Sequence, residues 1–199
     1  FENIGGSWVQ LGQTIVGEAP GDNSSEGALE LSSSGYTLAI GSQWNDGNGS
    51  NSGHVRIYSF NGSSWVQIGQ DIDGSSAGDM FGSSISLSND GNTIAVGAQT
   101  ATRNSSFNVG TGKVRVFNWN GSSWNQIGND IQGDSVGDHF GVSVSLNSNG
   151  NIVACGASSS NGNSGHVKVF ENIAGSWVQL GQDIEGNTDD YSGYSTSIS

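Results

Sequence analysis

Apolar residues in this chain come in short runs of four kinds, repeated in the same order. The first kind, segment A, is Phe81–Ser88 and again Phe140–Asn147, where Ile85 and Leu87, or Val142, Val144 and Leu146, alternate with serines and other small residues. Alternation at period two predicts a strand with one face against another sheet and one face small and polar. Segment B is Thr93-Ile94-Ala95-Val96-Gly97-Ala98, with counterparts at 37–41 and 152–157. Segment C is 53–58, 112–117 and 165–170, in which Val and Ile alternate with His, Arg and Lys; this predicts one buried and one solvated face. Segment D is the stretch around Trp8, Trp65, Trp124 and Trp177.

The punctuation between segments is equally regular. Asn89-Asp90-Gly91-Asn92 and Ser148-Asn149-Gly150-Asn151 join A to B, and Asn61-Gly62 or Asn120-Gly121 joins C to D. Such dipeptides supply the positive φ that tight hairpins need. The B–C connections, near 42–52, 99–111 and 158–164, are longer and differ from one another, whereas the D–A links are longer but keep their sequence. Strands running up and down in order put the tight A–B and C–D turns on one side and the B–C and D–A loops on the other. Binding residues concentrate on variable loops held by a rigid scaffold.

The four tryptophans of segment D lie 57, 59 and 53 residues apart. Four antiparallel strands at this period predict an all-β fold, a β-propeller of four-stranded antiparallel blades. A β-sandwich does not repeat its own sequence in this way, and a β-solenoid has a shorter coil. The repeats fall at approximately 1–59, 60–119, 120–169 and a partial 170–199, within a single propeller section covering 1–199. Phe1-Glu2-Asn3-Ile4 matches the end of segment C at Phe170-Glu171-Asn172-Ile173, and 191–199 match segment A, so partial blades are expected at both ends. A ring needs at least four blades, roughly 225 residues at this period. The expectation is a section of a longer repeat protein, or one that closes by pairing with another chain.

Composition narrows the function. Lys and Arg number 5 against 18 Asp and Glu, a formal charge of -13. That excludes a nucleic-acid footprint and an anionic membrane partner. No apolar run approaches the roughly 20 residues of a membrane span, so no membrane insertion is expected. No secretory signal is visible, but the chain begins at Phe1 and an upstream segment is compatible with it. The 33 glycines sit between strand-like runs and read as turn residues. Cys155 is the one cysteine; it stands where Val96 and Ile40 stand in other repeats and reads as a buried, inert thiol.

Gly78-Asp79-Met80-Phe81-Gly82 followed by Ala95-Val96-Gly97-Ala98, and Gly137-Asp138-His139-Phe140-Gly141 followed by Ala154-Cys155-Gly156-Ala157, resemble the FG-GAP repeat. That repeat builds the seven-bladed propeller head of integrin alpha subunits and of many surface proteins. The resemblance implies a propeller and a surface location. The first repeat departs from it, with Gly21–Gly27 lacking Phe-Gly, as does the last, with Tyr191-Ser192-Gly193. Integrin-type blades often carry an Asp-rich calcium loop between A and B. Here that link is Ser88-Asn89-Asp90-Gly91-Asn92, and one carboxylate does not supply the six to eight oxygens calcium takes. The calcium site is therefore not carried over, and no cofactor or metal is expected.

Candidate residues are few. Asp22, Asp79, Asp138 and Asp190 recur at one place, which favours acceptors for backbone N–H groups over a ligand site. The recurring tryptophans read as packing between sheets rather than sugar platforms. Trp44 occurs once, with Asn45, Asp46 and Asn48 in a variable loop, and this group is the ligand-binding candidate. His54 and His166 exchange with Lys113 and read as solvated, not as metal ligands. No zinc spacing is present, no Gly-x-Ser-x-Gly elbow is followed by triad candidates, and no paired acid and base stands at a non-repeating position. Asn23, Asn48, Asn61, Asn104 and Asn120 open Asn-x-Ser acceptors for N-glycosylation. The function expected is a non-catalytic, secreted or cell-surface recognition or adhesion module that binds an extracellular glycan or protein through its long-loop side. The alternatives are a structural subunit of an extracellular filament or coat, self-associating through its terminal blades, and, last, a glycan-active enzyme.

Overall fold

The computed structural model describes residues 1–24, 28–101 and 110–199. The fold is a β-propeller section, with three antiparallel sheets in succession. A short hairpin, β1 (Glu2–Ile4) and β2 (Ser7–Val9), comes first. The first blade is β3 (Ala28–Leu31), β4 (Thr37–Ser42), β5 (His54–Phe60), β6 (Trp65–Gln67) and β7 (Ile72–Asp73). The second is β8 (Ser84–Leu87), β9 (Thr93–Ala98), β10 (Lys113–Trp119), β11 (Trp124–Gln126) and β12 (Ile131–Gln132). The third is β13 (Phe140–Leu146), β14 (Ile152–Ala157), the single turn α1 (Ser160–Asn163), β15 (His166–Ile173), β16 (Ser176–Gln179) and β17 (Ile184–Glu185).

Segments A, B and C each form one strand, but segment D forms two. In the second blade β11 pairs with the end of β10 and β12 with its beginning. Between them Gly128 takes φ 69°, and Gly69 and Gly181 take 76° and 72° at the same place. This left-handed glycine throws the strand outward and turns a backbone carbonyl toward the next blade.

That carbonyl receives the next blade's tryptophan. Trp65 Nε1 donates to Leu11 O (3.0 Å), Trp124 Nε1 to Ile68 O (3.1 Å) and Trp177 Nε1 to Ile127 O (2.9 Å). A Cβ at Gly69 would stand 2.9 Å from Trp124 Cδ1 and 2.6 Å from Trp119 Cζ3, so the indole requires glycine here. In the first two junctions a glutamine clasps the same tryptophan's backbone: Gln13 Nε2 donates to Trp65 O at 2.7 Å and Gln70 Nε2 to Trp124 O at 2.9 Å. Packing between blades, not a sugar platform, is the role the structure gives Trp65, Trp124 and Trp177. Trp8, in the leading hairpin, is 70% exposed.

The apolar cores lie between blades. Ala39, Val55, Ile57 and Ile72 of the first blade meet Ile85, Leu87, Ile94, Val96, Phe117 and Trp124 of the second. Ala95, Val114, Val116 and Ile131 of the second meet Val144, Leu146, Val153, Cys155, Phe170 and Trp177 of the third. Phe81 and Phe140 close these junctions, fully buried and edge-on to Phe117 and Phe170. Each is the first residue of Phe-Gly and bridges in parallel to Gly53 or Gly112 at the start of the preceding blade's C strand. A Cβ at Gly53 or Gly112 would collide with that phenylalanine's carbonyl.

The small polar residues of segment A are not left to water. Ser86 Oγ accepts from Leu146 N (3.0 Å) and Ser84 Oγ donates to Gly141 O (2.7 Å), tying A strands of successive blades together. In the first blade Glu30 takes the place of Ser86, and its Oε2 accepts from Leu87 N at 2.9 Å.

Two outcomes follow from these contacts. Trp124→Ala is expected to cost about 3–5 kcal/mol in urea unfolding, in the range for a buried tryptophan, whereas Trp8→Ala stays within about 0.5 kcal/mol. The second concerns Glu30, whose carboxyl is raised above the ordinary glutamate value by burial, with the Leu87 N–H pulling the other way. The folded chain therefore holds this proton more tightly than the unfolded one, and Glu30 favours folding at low pH and loses that contribution as the pH rises through its raised pKa. Glu30→Gln, which keeps the acceptor, should unfold at pH 7 no earlier than wild type. The difference should close toward about pH 4; a lower midpoint at pH 7 contradicts it.

Candidate functional site

The long-loop side is built from the B–C loops and the D–A links. In the loop after β4, Asn45 is buried and its amide is spent internally: Nδ2 donates to Asp22 Oδ2 (3.0 Å) and Glu18 Oε2 (3.3 Å), and Oδ1 accepts from Gly47 N (2.8 Å). Asn48 is exposed, with Nδ2 on Gly74 O (2.9 Å). Asp46 is exposed and holds Asn51 N at 2.8 Å. Trp44 is half-buried. The loop thus leaves Asp46 exposed and Trp44 half-buried, while Asn45 and Asn48 lock it to the links on either side.

The recurring Asp of the D–A links is an acceptor for the link's own backbone. Asp22 takes Ala19 N (3.2 Å), Asp79 takes Ser75 N and Ser76 N (3.1 and 3.2 Å), Asp138 takes Ser135 N (2.8 Å) and Asp190 takes Asn187 N (2.8 Å). Asp22, Asp79 and Asp138 are all buried.

Beside these aspartates the structure gathers charges that no local pattern announces. The first residue of each C strand, His54, Lys113 or His166, is 2%, 6% or 3% exposed. The alternation of segment C had implied a solvated face there; instead the link entering the same blade, with an aspartate of strand D, covers it. Lys113 Nζ sits 3.5 Å from Asp79 Oδ2, 3.5 Å from Asp130 Oδ2 and 3.1 Å from Ser75 Oγ. His54 Nδ1 lies 3.8 Å from both Glu18 Oε2 and Asp71 Oδ2. Two residues on, Arg56 pairs with Glu18 (2.9 Å) and Asp71 (3.4 Å), and Lys168 with Asp134 (2.6 Å) and Asp183 (3.5 Å). Burial, aided by the Arg56 guanidinium, holds His54 below the ordinary imidazole value against the pull of Asp71, Glu18 and Asp73. Burial also works against the Lys168 ammonium, but its bond to Asp134 and the nearby Asp183 outweigh it and its pKa is raised.

The remaining candidates are quickly placed. Asn23, Asn48, Asn61 and Asn120 are exposed; Asn104 lies outside the described residues. Asn61 and Asn120 use Oδ1 to cap their own turns, Asn61 with Ser63 N and Ser64 N, Asn120 with Ser122 N and Ser123 N. Cys155 is fully buried in the junction of the second and third blades, and burial pushes its thiol far up.

Residues 72–117 match the family model described as the FG-GAP repeat. The match runs from the end of the first blade through the A and B strands of the second and into β10. Among solved structures, the chain is similar to a putative 6-phosphogluconolactonase from Bacteroides uniformis, with TM-score 0.52 and 17% identity over 80% of this chain and 40% of that one. It is also similar to TolB from Acinetobacter baumannii, with TM-score 0.45 and 12% identity over 78% of this chain and 32% of that one. The chain therefore spans less than half the length of either. None of the curated proteins matches it in sequence. At these identities the likeness is one of fold, and it carries no catalytic residue across.

The buried thiol gives a direct check on the blade junction. Cys155 should not react with a thiol-specific chromogenic reagent in the native chain and should react stoichiometrically in denaturant; fast native labelling would mean that the second and third blades part.

Proposed function

We propose that this chain is a recognition or adhesion section of a secreted or cell-surface β-propeller protein, binding a glycan or a protein through its B–C and D–A loops. One observation carries the reading. The scaffold repeats its strand order and its cross-blade tryptophan hydrogen bonds, while the B–C loops between β4 and β5 and between β14 and β15 have different lengths and conformations. The first presents Trp44 and Asp46 on a frame fixed by Asn45 and Asn48; the second contains α1. An aromatic beside a carboxylate on a held loop suits a sugar face or a peptide. The surface is acidic and its exposed Asn-x-Ser acceptors fit a secretory route.

The test is binding to a glycan array and to a panel of immobilised extracellular-matrix proteins. Trp44→Ala and Asp46→Ala should each reduce any retained signal at least about tenfold, the loss of one good contact, with circular dichroism unchanged. No retained glycan or protein, or a signal indifferent to both substitutions, overturns the reading.

A second reading, a structural subunit of an extracellular filament or coat, is favoured by the terminal blade faces. Leu29 and Leu31 are 56% and 49% exposed where their counterparts Ile85 and Leu87 are buried, and Ile184 is 62% exposed where Ile72 and Ile131 are buried. These faces fit another blade, from the same polypeptide or from a second copy. Concentration-dependent association in light scattering, abolished by Leu31→Asp, would put this reading first.

A further inference from the structure

The three blade junctions repeat one polar design with two chemistries. At the middle junction, carboxylates Asp79 and Asp130 face Lys113 and Arg115, and the linker position is Ser75. At the junctions on either side the lysine is replaced by His54 or His166, and the serine by Glu18 or Asp134. The two replacements go together. The flanking junctions then hold three carboxylates each, Glu18, Asp22 and Asp71 or Asp134, Asp138 and Asp183, against one permanent cation, Arg56 or Lys168. The middle junction is balanced and each flanking one lacks two positive charges. Asp73, paired across the strands from His54, and Glu185, paired with His166, only deepen that deficit.

The donor atoms converge at the same places. One ligand atom each from Glu18, His54 and Asp71 lie within 4.8 Å of one another, as do those of Asp134, His166 and Asp183. His54 Nδ1 stands 3.8 Å from both carboxylates. Donors around a tetrahedral ion at about 2.0–2.2 Å are about 3.3–3.6 Å apart, so His54 and its carboxylates need to close by a few tenths of an ångström and the remaining pairs by up to about 1 Å, within the reach of flexible carboxylates. His166 adds an independent sign. Its Nδ1 is bonded to Ser160 Oγ at 2.7 Å, and Ser160 Oγ also lies 3.4 Å from Ala157 O. Nε2 is buried and has no hydrogen-bond partner. A ligating imidazole held by an outer hydrogen bond on its other nitrogen is the usual arrangement at metal centres.

We propose that the two flanking junctions each bind a divalent transition-metal ion of the zinc class, through Glu18, His54 and Asp71 and through Asp134, His166 and Asp183, and that the Lys113 ammonium is the built-in substitute for that ion at the middle junction. One carboxylate comes from the link leaving the preceding blade; the histidine and the other carboxylate come from the C and D strands of the following one. The ion joins the two blades. One imidazole and two carboxylates suit zinc-like ions better than calcium, which takes six to eight oxygens. Arg56 and Lys168, on the same carboxylates, moderate the affinity without occupying the imidazole.

Isothermal titration of chelator-treated chain with ZnCl2 tests this. Two ions per chain are expected, one in His54→Gln, one in His166→Gln, and none in the double variant, with the unfolding midpoint raised most by Zn2+ in wild type, less in each single variant and not at all in the double variant. CaCl2 should not substitute. The Ser75→Asp/Lys113→His double substitution should raise the count from two to three, which carries the test even where a histidine variant fails to fold. No Zn2+ binding to wild type, a stoichiometry unchanged by loss of the histidines in folded variants, or equal binding of Ca2+ through acid residues alone overturns the proposal.

Discussion

The indole–carbonyl bond across each blade junction is the contact on which the rest depends. A four-stranded sheet of this size has two faces to cover and no helix to cover them. Each blade therefore borrows its core from the next: large side chains on one face, Ile, Leu, Val, Phe and Trp, enter a shallower face of Ala, Val and Ile. Hydrophobic burial alone is non-directional. The Trp124 Nε1 to Ile68 O bond and its counterparts fix the depth and angle of approach, since the indole reaches that carbonyl only where a left-handed glycine has thrown strand D outward. Energetically the section is a chain of nearest-neighbour couplings, each blade contributing little by itself and each junction a good deal.

Next to each apolar junction runs a polar one, and the two have different tolerances. The apolar side accepts Cys155 for Val96 without altering the packing. The polar side is a set of charges, with Asp22, Asp79, Asp138 and Lys113 buried and Glu18 and Asp134 at an exposed rim, and its members change together, because an uncompensated buried charge costs several kcal/mol. That is why lysine and serine, or histidine and an acid, occur together at equivalent positions. The loop face rests on the same set, since Asn45 hangs the loop after β4 on Asp22 and Glu18.

Much of the fold was legible in the sequence because its signals are local. The period of the tryptophans, the alternation in segments A and C and the Asn-Gly and Asp-Gly turns each need only a short window. Gly91 and Gly150, both at φ 71°, and Gly62 and Gly121, at 95° and 96°, are where those turns require them. The split of strand D was not legible, because Gly69 reads as an ordinary small residue until the indole of the next repeat is seen against it. Nor was the burial of His54, Lys113 and His166: their alternation with Val and Ile is the pattern of a half-wet strand, and the cover comes from a link far back along the chain. Asp71, Asp130 and Asp183 recur visibly after Gly-Gln or Gly-Asn, yet nothing in one repeat says which cation they meet. Of the loop candidates, Asp46 is exposed and Trp44 half-buried, while Asn45 and Asn48 hold the loop in shape.

Every sheet in this section ends on an outer strand, and an outer strand is a template for unwanted pairing. Here it is β6 and β7, β11 and β12, or β16 and β17: three or four residues, a left-handed glycine, then two more. A foreign strand laid along such an edge finds a ladder that stops after one step and resumes out of line. The bulge that receives the tryptophan therefore also breaks up the margin of each blade. The chain gains protection against edge-to-edge stacking from the same glycine that joins its blades.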